Sequence, residues 1–166
     1  FPMNEKDEYV RNMMGYSEGA INASVTDYFG HTRVEGNTIS NTDNVFTIHN
    51  EATTETTWDP YCRLINSNRV EGELYRITVI LSITSGTAYV NKVEVDTVYY
   101  SLYKTLGEGT HTFEFIGNFR DDGNITVTFN GSSEVVFDAV VTIETKQLSS
   151  TYPIQNFTAS CRDEAI

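Results

Sequence analysis

The sequence predicts an all-β chain of antiparallel strands, folded as a sandwich or barrel and preceded by one short helix. Three observations carry this. Apolar and polar residues alternate through residues 61–148, and turn residues interrupt the alternation about every 8 to 12 positions. The chain also holds ten Tyr and nine Phe in 166 residues, a composition suited to pleated surfaces where rings and β-branched side chains pack. No strand-helix alternation indicates a parallel sheet, and no internal repeat is visible.

Residues 1–15, FPMNEKDEYVRNMMG, read as the helix. Asn4 is a fair N-cap, and Glu5, Asp7 and Glu8 lie in or near the first turn, where the helix dipole favours acids. Tyr9, Val10, Met13 and Met14 share one face, and Gly15 suits the left-handed residue that follows a helix. So short a helix is marginal alone, so its stripe is expected to dock, on its own domain or on a neighbouring subunit.

Residues 16–50 are rich in Asn, Thr, Ser and Gly. VTDYFG and NVFTIHN are strand candidates, VEGNTISNTDN reads as loop and turn, and EATTETTWDPYC as a loop ending at Trp58-Asp59-Pro60. Regular alternation then begins. YCRLIN is a strand, as are residues 73–83, where Tyr75, Ile77, Val79 and Leu81 point one way and Arg76, Thr78 and Ser82 the other. One or two strands cover 88–104, and THTFEFIG sets Phe113 and Phe115 against Thr112 and Glu114. After the RDDG turn, NITVTFN sets Ile125, Val127 and Phe129 against Thr126 and Thr128, and Asn130-Gly131 is a tight-turn signal. The last strand turns Val135, Phe137, Ala139, Val141 and Ile143 inward and Asp138, Thr142 and Glu144 outward. The organisation is thus a docking helix at 1–15, a β-sandwich at 16–148 with its firmest signal over 61–148, and a C-terminal arm or linker at 149–166.

The net charge of −12, from 23 acidic and 11 basic residues, opposes nucleic-acid binding, whose affinity rests on neutralising phosphates. No apolar run approaches the ~20 residues of a membrane-spanning helix. Cys62 and Cys161 belong to no Cys-x-x-Cys pair, so a long-range disulfide and two separate thiols both stay open. The chain begins at Phe1, which leaves open a removed leader or a longer upstream region, and with it an extracellular or virion product.

From Cys62 to Leu148 the order of features resembles a family of β-sandwich modules of phage tail and fibre proteins, similar in turn to the jelly-roll carbohydrate-binding modules of secreted glycoside hydrolases. The resembling segments are VEGELYRITVILS, TSGTAYV, LGEGTHTFEFIG and NITVTFNGSSEVVFDAVVTIETKQL. Where that family often has Gly-x-Ile-Asp, this chain has Val136-Phe137-Asp138, and the first 50 residues match nothing in the pattern. The resemblance implies a jelly-roll sandwich and makes Asp138 a candidate ligand of a structural calcium; an Asp bonded to a neighbouring loop is the plainer reading, since a calcium cage needs six or more oxygens. No other cofactor is implied.

Catalytic patterns are few. His31, His49 and His111 are scattered without metal-binding spacing, no Gly-x-Ser-x-Gly elbow occurs, and spacing favours no pair among the acids. Aromatic residues are the better lead, because sugars stack their C–H faces on exposed rings. Tyr99 and Tyr103, placed on one face of a strand, and Trp58, in a polar loop, are the candidate ligand contacts. Sequons stand at Asn22, Asn124, Asn130 and Asn156. The resulting expectation is a non-enzymatic virion protein, a fibre, tail or capsid-decorating component, that contacts host glycans or neighbouring virion subunits, as a homo-oligomer and without membrane insertion. The alternative is a secreted carbohydrate-binding module or an extracellular filament subunit of a cell.

Overall fold

The structure, a computed structural model, describes residues 16–32, 36–51, 59–130 and 136–150. In these residues the chain forms strands β1 (Tyr16–Glu18), β2 (Asp27–His31), β3 (Thr38–Thr42), β4 (Val45–Asn50), β5 (Tyr61–Ile65) and β6 (Leu74–Gly86). They are followed by β7 (Ala88–Val95), β8 (Val98–Leu106), β9 (Gly109–Asn118), β10 (Asn124–Phe129) and β11 (Phe137–Ser150). One sheet runs β3-β4-β11-β6-β9, with β1 paired to the far end of β11; the other runs β2-β5-β10-β7-β8. Every pairing is antiparallel, and the chain passes repeatedly from one sheet to the other, as in a jelly-roll β-sandwich.

The period-two pattern explains the layers. Tyr75, Ile77, Val79, Leu81 and Ile83 of β6 are buried, as are Phe137, Ala139, Val141 and Ile143 of β11. They face Cys62 and Leu64 of β5, Val93 and Val95 of β7, and Ile125, Val127 and Phe129 of β10 in one shared core. Phe129 and Phe137 meet across the layers with ring centroids 5.5 Å apart. At one end of the core Tyr75 packs edge-on against Phe119 at 4.9 Å, and its hydroxyl accepts the Val70 N–H at 2.8 Å.

The RDDG turn is fastened from another hairpin. Asp96, buried at φ 58 between β7 and β8, accepts backbone N–H groups of Arg120 at 2.9 Å, Asp122 at 2.7 Å and Gly123 at 3.0 Å, with Asp121 at 3.1 Å. Burial alone would raise the pKa of this carboxyl, but the four donors outweigh burial and hold it below the usual carboxylate range.

Two strand assignments differ from the sequence reading. Residues 38–42, read as loop, form β3, and Tyr16–Glu18 adds a short strand beside β11. β3 sits at a sheet edge with mostly exposed side chains, so only Ile39 packs against the core and no alternation marks the strand. The expected helix at 1–15, with Tyr9, Val10, Met13 and Met14, lies outside the described residues, as do Trp58, Val135 and Cys161. Among the described residues Cys62 is a buried free thiol whose pKa burial pushes up.

Candidate functional site

The outward face of the five-stranded sheet collects rings and charges from five separate segments. On β2 the inward places belong to Tyr28 and Gly30, leaving Asp27, Phe29 and His31 outside. An added Cβ at Gly30 would run into Cγ2 of Ile39 from the opposite sheet, so a side chain at that position has no room. On β5, burial of Cys62 and Leu64 turns Tyr61 and Arg63 outward. β10 contributes Thr126 and Thr128, both buried beneath their neighbours, β7 contributes Lys92 and Glu94, and β8 contributes Tyr99 and Ser101. Tyr100 points inward to pack on Phe115 at 4.7 Å, which fixes its neighbour Tyr99 on the outside.

Strand register aligns these side chains in two rows. The first reads Phe29, Arg63, Thr126, Glu94, Tyr99 and the second His31, Tyr61, Thr128, Lys92, Ser101. Each row crosses five strands, a span of about 19 Å at ~4.8 Å per strand.

One end of the rows is a ring cluster. His31 stacks on Tyr61 at 5.2 Å and on Phe29 at 5.9 Å, and Phe29 is 43% exposed. The Arg63 guanidinium lies 4.9 Å over the Tyr61 ring while its Nε donates to the Thr126 hydroxyl at 3.0 Å. At the other end Tyr99 is 58% exposed, with the Lys92 ammonium 4.2 Å over its ring and 3.7 Å from Glu94 Oε2. The cation contacts steady both rings in place. Apolar ring surface at the two ends, with hydrogen-bonding groups between, suits an elongated hydroxyl-rich molecule lying across the strands.

Of the expected contacts, Tyr99 belongs to this face. Tyr103 does not join either row. Between the level Phe129-Val90-Lys104 and the level Thr128-Lys92-Ser101, β10 has no intervening residue, β7 has Asn91, and β8 has Leu102 and Tyr103. Tyr103 takes φ 46 within this irregularity and is 67% exposed. Phe29, His31, Tyr61 and Arg63 were not singled out from sequence; the signal available was the pair of outward places flanking Gly30 in DYFGH and Cys62 in YCR.

Asp138 stands on the outer face of the other sheet, in register with His49. Its Oδ1 lies 2.5 Å from His49 Nδ1, and Glu51 Oε1 lies 3.0 Å from His49 Nε2. These hydrogen bonds, to Glu51 first and then Asp138, raise the imidazole pKa. Among the described residues no three His, Cys, Asp or Glu side chains are grouped so as to hold a metal ion.

The fold and this face define the class: an antiparallel jelly-roll β-sandwich that presents an aromatic and charged sheet surface. No family model matches the chain, nor does any curated protein. Among solved structures it is similar to a CBM4 structure, with 14% identity, 74% of this chain and 86% of that chain covered, and a TM-score of 0.42. It is similar also to the N-terminal cellulose-binding domain of Cellulomonas fimi β-1,4-glucanase C, with 10% identity, 76% and 90% covered, and a TM-score of 0.41. A third is a variant of a family 29 carbohydrate-binding module complexed with mannohexaose, with 15% identity, 80% and 90% covered, and a TM-score of 0.38.

Proposed function

We propose that the chain is a non-catalytic glycan-binding module of the secreted kind, and that it binds its ligand on the outer face of the five-stranded sheet. The observation that carries this reading is the register that places Phe29 and Tyr99 at the two ends of one row, with Arg63, Thr126 and Glu94 between them. Rings stack on the C–H faces of sugars, and Arg63 and Glu94 meet hydroxyl groups above the buried Thr126; neither contact requires a reacting group. The earlier sequence resemblance to jelly-roll carbohydrate-binding modules points the same way. The virion role rests on the phage side of that resemblance, and the face described above is indifferent to it.

Affinity electrophoresis of the full chain in gels containing plant, algal and bacterial polysaccharides tests the proposal. Retardation by at least one polymer, abolished when Phe29 and Tyr99 are both replaced by Ala, is the expected result. Unchanged mobility in every gel, or retardation that survives the double replacement, sinks it.

A further inference from the structure

We infer that the face selects acidic glycans, chains bearing uronic acid carboxylates, and that Arg63 receives the carboxylate. The inference rests on the proposed glycan site and names its ligand class. The chain as a whole carries 23 acidic and 11 basic residues, yet the two rows hold Arg63 and Lys92 against Glu94, with Asp27 beside them on the same face of β2. Within the rows Lys92 pairs with Glu94, and on the other sheet Arg76 pairs with Glu18 and Glu114 and Lys146 with Glu18.

Arg63 is different. It sits on β5, one strand in from the sheet edge, beside Phe29. Its Nε is used by Thr126, and the Tyr61 ring lies under its guanidinium, so the plane of the group is fixed from two sides. Its two terminal nitrogens have no hydrogen-bond partner among the described residues and form a planar fork, the geometry that matches a carboxylate with two parallel bonds. A neutral sugar can offer that fork two neighbouring hydroxyl oxygens, but they carry no charge to match the guanidinium, and the charge-assisted pair is roughly twice as strong. Phe29 stands beside Arg63 in the same row, so a sugar ring stacked there brings a carboxylate on its edge within reach of the fork. The overall negative charge does not prevent this, because at physiological salt repulsion is screened beyond about 8 Å whereas the contact with Arg63 is direct.

The test uses calorimetric titration with hexamers of α-1,4-galacturonate and β-1,4-mannuronate and with their carboxyl-reduced counterparts, which keep the ring and lose only the charge. At least one uronate should bind about tenfold tighter than its reduced form, as expected for a charged fork-to-fork contact. In Arg63→Gln that ratio should fall to within about twofold, whatever happens to absolute affinity. Equal or tighter binding of the reduced oligomers overturns the inference and leaves the glycan-binding reading intact. A ratio that persists in the variant removes Arg63 from the role, and a sulfated hexamer that outcompetes both uronates removes the carboxylate. If no oligomer or neutral polysaccharide binds, the glycan-binding reading falls and takes the inference with it. The ratio is read first on the unaltered chain, so the test stands even if the variant does not fold.

Discussion

Phe29 and Tyr99 stand at opposite ends of a single row of side chains that crosses every strand of the five-stranded sheet. They are 70 positions apart in sequence, and only the register of four ladders brings them into line. A ligand that touches both must lie across the strands.

That geometry makes ligand length a variable. Phe29→Ala and Tyr99→Ala should each weaken binding of a long oligosaccharide about three- to tenfold, corresponding to roughly 1 kcal/mol for a stacked ring. The two losses should add, since sites so far apart rarely couple. A disaccharide should respond to one replacement and not the other. Both rings are exposed, so thermal midpoints should move little; a large drop in midpoint would show that the rings serve the core.

Asp96 supplies the acid limb of stability. Its folded pKa lies below the usual carboxylate value, so its contribution is complete above the unfolded pKa of about 4 and fades as pH falls towards the folded value. Asp96→Ala strands several backbone N–H groups and should cost about 3 kcal/mol at neutral pH. Urea unfolding at pH 3 to 6 should show a shallower pH dependence in Asp96→Asn than in the parent; identical slopes would contradict the assignment.

His49 acts in the opposite sense. Its folded pKa is raised, so the attraction to Glu51 and Asp138 is fully present below the unfolded value near 6.5 and is lost as pH rises through the folded one. All three side chains are substantially exposed, which keeps the effect on stability small. The cleaner readout is the imidazole resonance in an NMR titration. Its midpoint should fall when Asp138 becomes Asn and fall again when Glu51 becomes Gln; an unmoved midpoint rules out the contacts as its cause.

Phe137 joins the layers at the start of β11. Truncation to Ala removes a fully buried ring that faces Phe129, and should lower stability by about 4 kcal/mol, as large-to-small core changes do. Chemical denaturation measures it, and a loss under 1 kcal/mol would mean the two sheets close over the gap.

The strands from Tyr61 onwards were legible because one face of each packs on the core, wholly or in part, so the sequence alternates in step with the pleat. β3 escaped because an exposed edge imposes no such alternation, and Ile39 alone was too little signal. The candidate site was legible only at Tyr99. Phe29, His31, Tyr61 and Arg63 are each unremarkable in their own segments; what assembles them is pairing between β2, β5 and β10, which depends on the partner strands and leaves no mark in local sequence. Arg63 illustrates the difficulty best, since its place between Phe29 and Thr126 follows from two ladders and not from the YCRLIN segment that holds it.

Gly30 ties this surface to the layer behind it. Because Ile39 of the six-stranded sheet fills the space that a side chain at position 30 would need, the height at which β2 rides is set from the far side of the molecule. Position 39 is therefore a tuning screw for the ring cluster: a bulkier or slimmer residue there would tilt Phe29 and His31 without altering any group that meets solvent on the front, and ligand preference could drift through changes made entirely at the back.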